Sequence, residues 1–100
     1  MVKNGMRPVH PGEILREEYL APLGMSVNAL ALALAVPATR LHEITKERRA
    51  VTADTALRLA RYFDTTPEFW LNLQAAFDVK TLPTRAEIER KVEPRETAHA

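Results

Sequence analysis

Ala38, Thr39, Arg40 and Glu43 lie close together, and Lys46, Arg48 and Arg49 follow them at once. Side chains of these types match the edges of base pairs. A guanidinium such as Arg40 can pair with guanine, and a carboxylate such as Glu43 can accept from a cytosine amino group. The cations behind them suit phosphate oxygens, which supply affinity without regard to sequence. Asn28, a short way upstream, is a further candidate for holding phosphate.

Other chemistries find less support. His10, His42 and His99 have no ligand-like spacing, and the chain has no cysteine, so no metal site is expected and disulfides and thiolate catalysis are excluded. Glu13, Glu17 and Glu18 read as a solvated helix face rather than a catalytic set. Ser26 is the only serine and stands where a helix cap belongs. We therefore expect no enzyme and no cofactor.

The elements that position the candidates are all helical. His10-Pro11-Gly12-Glu13 opens a first helix, with proline at its first position and an acid in its first turn. Ile14, Leu15 and Tyr19 form its apolar stripe, and Pro22 and Gly24 end it. Ser26 caps a second helix over residues 27–34, whose inner face is Leu30, Ala31 and Leu34. After the tight turn Ala35-Val36-Pro37 a third helix runs over residues 38–45, with Leu41 and Ile44 inward. Thr52 caps a fourth, on which Ala56, Leu57, Ala60 and Phe63 recur at helical spacing. Thr66-Pro67-Glu68 starts a fifth over residues 69–79, and Thr84 with Glu87 suggests a capping box before a weak sixth helix carrying Ile88 and Val92. We divide the chain into a flexible arm (1–9), a helix-turn-helix domain (10–80) and an extension of a short helix and disordered tail (81–100).

Two short helices joined by a turn of about three residues, with a small residue at the crossing, are the geometry of a helix-turn-helix: one helix braces on the backbone and the next enters the major groove. A packing hairpin in a structural bundle has much the same pattern. Charge alone does not separate the two. The net charge is +1; residues 27–49 carry four cations and two anions, residues 50–79 two cations and four anions. With 46% apolar residues the chain can fill one compact core. It has neither a span-length apolar run nor a signal-peptide core, and we expect a cytoplasmic protein without membrane contact.

The chain resembles the HigA-type (VapI-like) antitoxins of the lambda-repressor-like helix-turn-helix superfamily over roughly residues 10–80. The resemblance rests on His10-Pro11-Gly12-Glu13-Ile14-Leu15, on the helix-turn-helix, on Thr52-Ala53-Asp54-Thr55-Ala56-Leu57-Arg58-Leu59-Ala60, and above all on Pro67-Glu68-Phe69-Trp70-Leu71-Asn72-Leu73-Gln74. It implies an all-α, five-helix core, a homodimer on double-stranded operator DNA, autorepression, and neutralisation of a HigB-type mRNA-cleaving toxin. The chain departs from the pattern at three positions where such proteins carry glycine: here they are Ala35, Glu47 and Ala50. A non-glycine residue in the left-handed region costs on the order of 1 kcal/mol, so either the backbone accepts that or the turns differ. For the dimer interface we select Phe69, Trp70, Leu73 and Phe77, an aromatic-rich stretch of which one row can fill the core while the other stays near the surface. A stand-alone regulator without a toxin and a helical protein-interaction module remain the alternatives.

Overall fold

The computed structural model describes residues 7–96, so expectations for residues 1–6 of the arm and for 97–100 of the tail, His99 included, lie outside it. Every regular element among the described residues is a helix. Helix α1 is α-helical over Pro11–Ile14, widens to a π-helix over Leu15–Leu20 and returns to α over Ala21–Leu23. The widening contains the carbonyl of Glu18, against which the ring of Pro22 would press in a regular helix. Pro22 is thereby carried inside the rod, and it is Gly24, left-handed at φ 60°, that stops it.

Local chemistry sets most other boundaries. Ser26 Oγ accepts from Ala29 N at 3.0 Å and starts α2, Val27–Leu34. Pro37 is the extended N-cap of α3, Ala38–Thr45. Thr52 caps α4, Ala53–Phe63, and Thr66 Oγ1 accepts from Phe69 N at 3.1 Å to start α5, Pro67–Thr81. Helix α6, Arg85–Lys91, has no side-chain cap: Thr84 does not close the expected capping box.

Five helices enclose one core. Trp70, Leu15, Leu30, Leu41, Ile44 and Leu59 are fully buried, and Ala31, Ala56 and Ala60 let neighbouring helices approach. Moving each large side chain out of water contributes about 1.5–3 kcal/mol, which fixes the inward face of every helix. On α4 that face is Thr55, Ala56, Leu59 and Ala60; Leu57, expected inward, is exposed. Gln74 on α5 is buried and its Oε1 accepts from Val51 N at 2.7 Å, which ties the segment after α3 to the core. Helix α6 contributes nothing to the core, and its apolar Ile88 stays exposed.

Candidate nucleic-acid interface

The corner between α2 and α3 turns on Ala35, which is left-handed at φ 59°. Val36 N donates to Ala31 O at 3.1 Å across it. Two carbonyls at this helix end would otherwise lack a partner, and Arg58 from α4 supplies one: its Nη1 donates to Leu34 O at 2.8 Å and to Ala35 O at 3.3 Å. The second turn is also left-handed without glycine. Glu47 has φ 63°, with Glu47 N donating to Ile44 O and Arg48 N to Glu43 O. Ala50 keeps an ordinary backbone. The turns therefore keep the shape that glycine would give them at Ala35 and Glu47, at a cost in strain.

Leu41 and Ile44, fully buried, pin α3 and set which of its sides looks outward. Thr39 is exposed. The other three candidates for base contact are engaged within the chain. Ala38 is half-buried and packs on the core. Arg40 turns towards α4, its Nη1 2.7 Å from Asp54 Oδ2 and 3.5 Å from Thr55 Oγ1. Glu43 Oε1 accepts from Arg49 Nη1 at 3.1 Å. Lys46, Arg48 and Arg49 are exposed in the loop that follows. Asn28, also exposed, has its Oδ1 2.9 Å from His42 Nε2, so the bracing helix and the candidate reading helix are joined at their outer surface.

Sequence reasoning missed the partners rather than the candidates. Asp54 accepts from both Arg58 (2.9 Å) and Arg40 (2.7 Å), and these two guanidinium groups, Arg58 first, hold its carboxyl below the usual aspartate range. The Arg58–Asp54 spacing of four was a readable helix pair; the Arg40–Asp54 contact, between different helices, had no local signal.

The proposed interface residues divide. Trp70 is fully buried, with its Nε1 donating to Thr65 Oγ1 at 2.9 Å and its ring 5.2 Å from that of Tyr19. This corrects the expectation for Trp70, which is core of its own chain. Phe77 is half-buried against the edge of His10, ring centres 4.8 Å apart. Leu73 is half-buried, and Phe69 is 38% exposed. Among the described residues no group of acids and histidines is arranged to hold a metal, and no helix is long and apolar enough to cross a membrane.

Comparison with known proteins places this geometry. The helix-turn-helix family model matches residues 15–70. The chain is 59% identical over 78 residues to virulence-associated protein I of Dichelobacter nodosus, covering 78% of this chain and 72% of that protein. A solved structure of an addiction module antidote protein of a HigA family from Coxiella burnetii is 53% identical and superposes with a TM-score of 0.85, covering 90% of this chain and all of that one. The structure of Pseudomonas aeruginosa antitoxin HigA with the higBA promoter is 47% identical, with a TM-score of 0.84 over 88% of this chain and 98% of that one.

Proposed function

The chain belongs to the helix-turn-helix family of HigA antitoxins, and from that premise we propose that it binds its own operator as a homodimer, represses its operon and neutralises a HigB-type mRNA-cleaving toxin in the cytoplasm. One observation carries the DNA reading. Helix α3 is pinned by Leu41 and Ile44, its opposite side exposes Thr39, and the exposed cations Lys46, Arg48 and Arg49 follow directly. A helix so presented fits the major groove, and loop cations beside it reach the flanking phosphates. In this reading Ala38, Thr39 and Glu43 face base edges, Glu43 after leaving Arg49. Asn28 holds a phosphate from the first turn of the bracing helix. The related Pseudomonas protein in a structure with its promoter supports the DNA partner, and the antidote and antitoxin names of the relatives support the toxin.

A single short helix reads few base pairs, so a dimer is expected on two half-sites about one helical turn, roughly 34 Å, apart. Footprinting on the chain's own upstream region tests this, and protection of a single unpaired site by a monomer contradicts it. Co-expression with the product of the adjacent reading frame tests the rest. Growth arrest by that product, relieved by this chain through a stable complex, supports the antitoxin. An innocuous neighbour with intact operator binding leaves a stand-alone regulator.

A further inference from the structure

Between α3, the loop after it and the first turns of α4 lies a polar pocket of about 210 Å³. Arg40, Arg49 and Arg58 line it, with Thr52, Thr55 and the carboxylate of Asp54. Three guanidinium groups thus share one pocket with this acid. Asp54 engages two of them through the same oxygen, Oδ2, at 2.7 Å to Arg40 Nη1 and 2.9 Å to Arg58 Nε. Arg49 is paired outside this set, with Glu43.

Each guanidinium carries five N–H donors in a planar fork. Among the described residues Arg40 and Arg49 each donate through Nη1, and Arg58 through Nε and Nη1. All three guanidinium groups that line the pocket thus keep unused donors, and with Glu43 counted against Arg49 the positive charge exceeds the negative by one. The surplus suits an anion, and the forked donors suit the oxygens of phosphate. The Arg40 side chain is 27% exposed, so its charge is partly withdrawn from water and is screened less than a surface cation.

We propose that this pocket takes one phosphate group, a backbone phosphodiester next to the bases that α3 faces, and that Arg40 holds phosphate rather than reading guanine. The inference rests on the DNA-binding reading for its source of phosphate. The pocket chemistry itself suits equally the phosphate of a small phosphorylated ligand. Asp54 then acts as the internal anion that occupies Arg40 and Arg58 in the absence of DNA and competes with the phosphate.

Two variants of the full chain test it, Arg40→Gln, which leaves the Asp54–Arg58 pair in place, and Asp54→Asn, each checked for helicity by circular dichroism. Affinity for the operator and for a random duplex is measured across a salt series, and melting is followed with inorganic phosphate against chloride at constant ionic strength. Arg40→Gln is expected to weaken both duplexes by about tenfold and to flatten the log–log salt slope by about one. Asp54→Asn is expected to do the opposite, tightening both. Should inorganic phosphate stabilise the wild type and not Arg40→Gln, while duplex affinities stay equal, the pocket serves a free phosphate group and the DNA source is overturned. A change of base preference at one operator position in Arg40→Gln, with random-duplex affinity unchanged, makes Arg40 a base reader and overturns the proposal. So does the absence of any response of salt slope and melting in Arg40→Gln. If the wild type binds no duplex, the DNA reading fails by itself, and the phosphate melting series still decides the pocket.

Discussion

Gly12 and Ile44 bring the start of α1 into backbone contact with the end of α3: a β-carbon at Gly12 would stand 1.8 Å from the carbonyl oxygen of Ile44. Backbone cannot give way as a flexible side chain can. Gly12→Ala therefore has to push α1 off α3, at about 1–3 kcal/mol. Because Ile44 belongs to the helix proposed to enter the groove, operator affinity should fall by more than the lost folded fraction explains. Denaturant melts combined with operator titration check this, and unchanged affinity in the folded variant would separate the contact from function.

His10 sits at the same junction. Its Nδ1 accepts from Gly12 N at 2.8 Å, its ring is buried, and burial pushes its pKa below the usual 6.5 against weaker raising effects of Glu47, Asp78 and the Arg49 backbone. Acceptance at Nδ1 places the proton of the neutral ring on Nε2, so acid protonates the atom that caps the helix. The folded state thus binds fewer protons than the unfolded chain. The stabilisation is complete above about pH 6.5 and declines as pH falls below it. Urea melts at pH 7.5 and 5.5 should show that loss, and His10→Asn, which keeps an acceptor for the cap, should lack it. An equal loss in His10→Asn would assign the effect elsewhere.

The left-handed turns give a prediction of opposite sign. Ala35→Gly relieves strain of about 1–2 kcal/mol and returns part of it as added entropy of the unfolded chain. A net gain of about 0.5–1 kcal/mol should remain, which for a domain this size is a rise of several degrees in Tm. Glu47→Gly should gain less, since it also removes the 3.5 Å pairing with Arg16. A fall in Tm for Ala35→Gly would mean that Arg58, bonding the carbonyls of Leu34 and Ala35, already removes the strain.

These cases mark what was legible in the sequence. Ser26, Thr52 and Thr66 announced their helices because a cap acts within three residues. Leu41 and Ile44 were legible as the buried side of α3 because the turn fixes their phase. On α4 the alanines allowed more than one inward row, and only packing selected Leu59 over Leu57. The engagement of Arg40 by Asp54, 14 positions away, and of Arg58 by Leu34, 24 away, depends on helices meeting in space. The π-widening of α1 left no periodic signal either.

Base reading and phosphate holding should separate by mutation. Thr39 is exposed on α3, whereas Arg49 lies in the loop and pairs at the surface with Glu43. Arg49→Ala should weaken all duplexes alike and flatten the salt slope, while Thr39→Ala should change which bases are preferred. Selection from a randomised operator library, run beside a salt series, reads both. Altered base preference in Arg49→Ala at constant non-specific affinity would reverse the assignment of the loop.

Phe69 and Trp70 are neighbours with their rings nearly perpendicular, centres 5.0 Å apart, yet they face different surroundings. Trp70 fills the core; Phe69 is 38% exposed beside half-buried Leu73. Trp70→Ala leaves a cavity and an unpaired Thr65 hydroxyl, and should cost about 3–5 kcal/mol, a large share of the stability of a domain this size. Its effect on operator binding should then follow the lost folded fraction. Phe69→Ser removes apolar area that the folded chain already leaves partly in water, so helicity should survive. If Phe69 and Leu73 form the proposed dimer contact, the variant loses the burial of that ring against a partner and shifts towards monomer. Two recognition helices no longer held at a fixed separation bind a paired site hardly better than a single half-site. Sedimentation and operator titration on Phe69→Ser measure the two effects together. A folded Phe69→Ser protein that stays dimeric and binds its operator with undiminished affinity would place the dimer contact elsewhere on the chain.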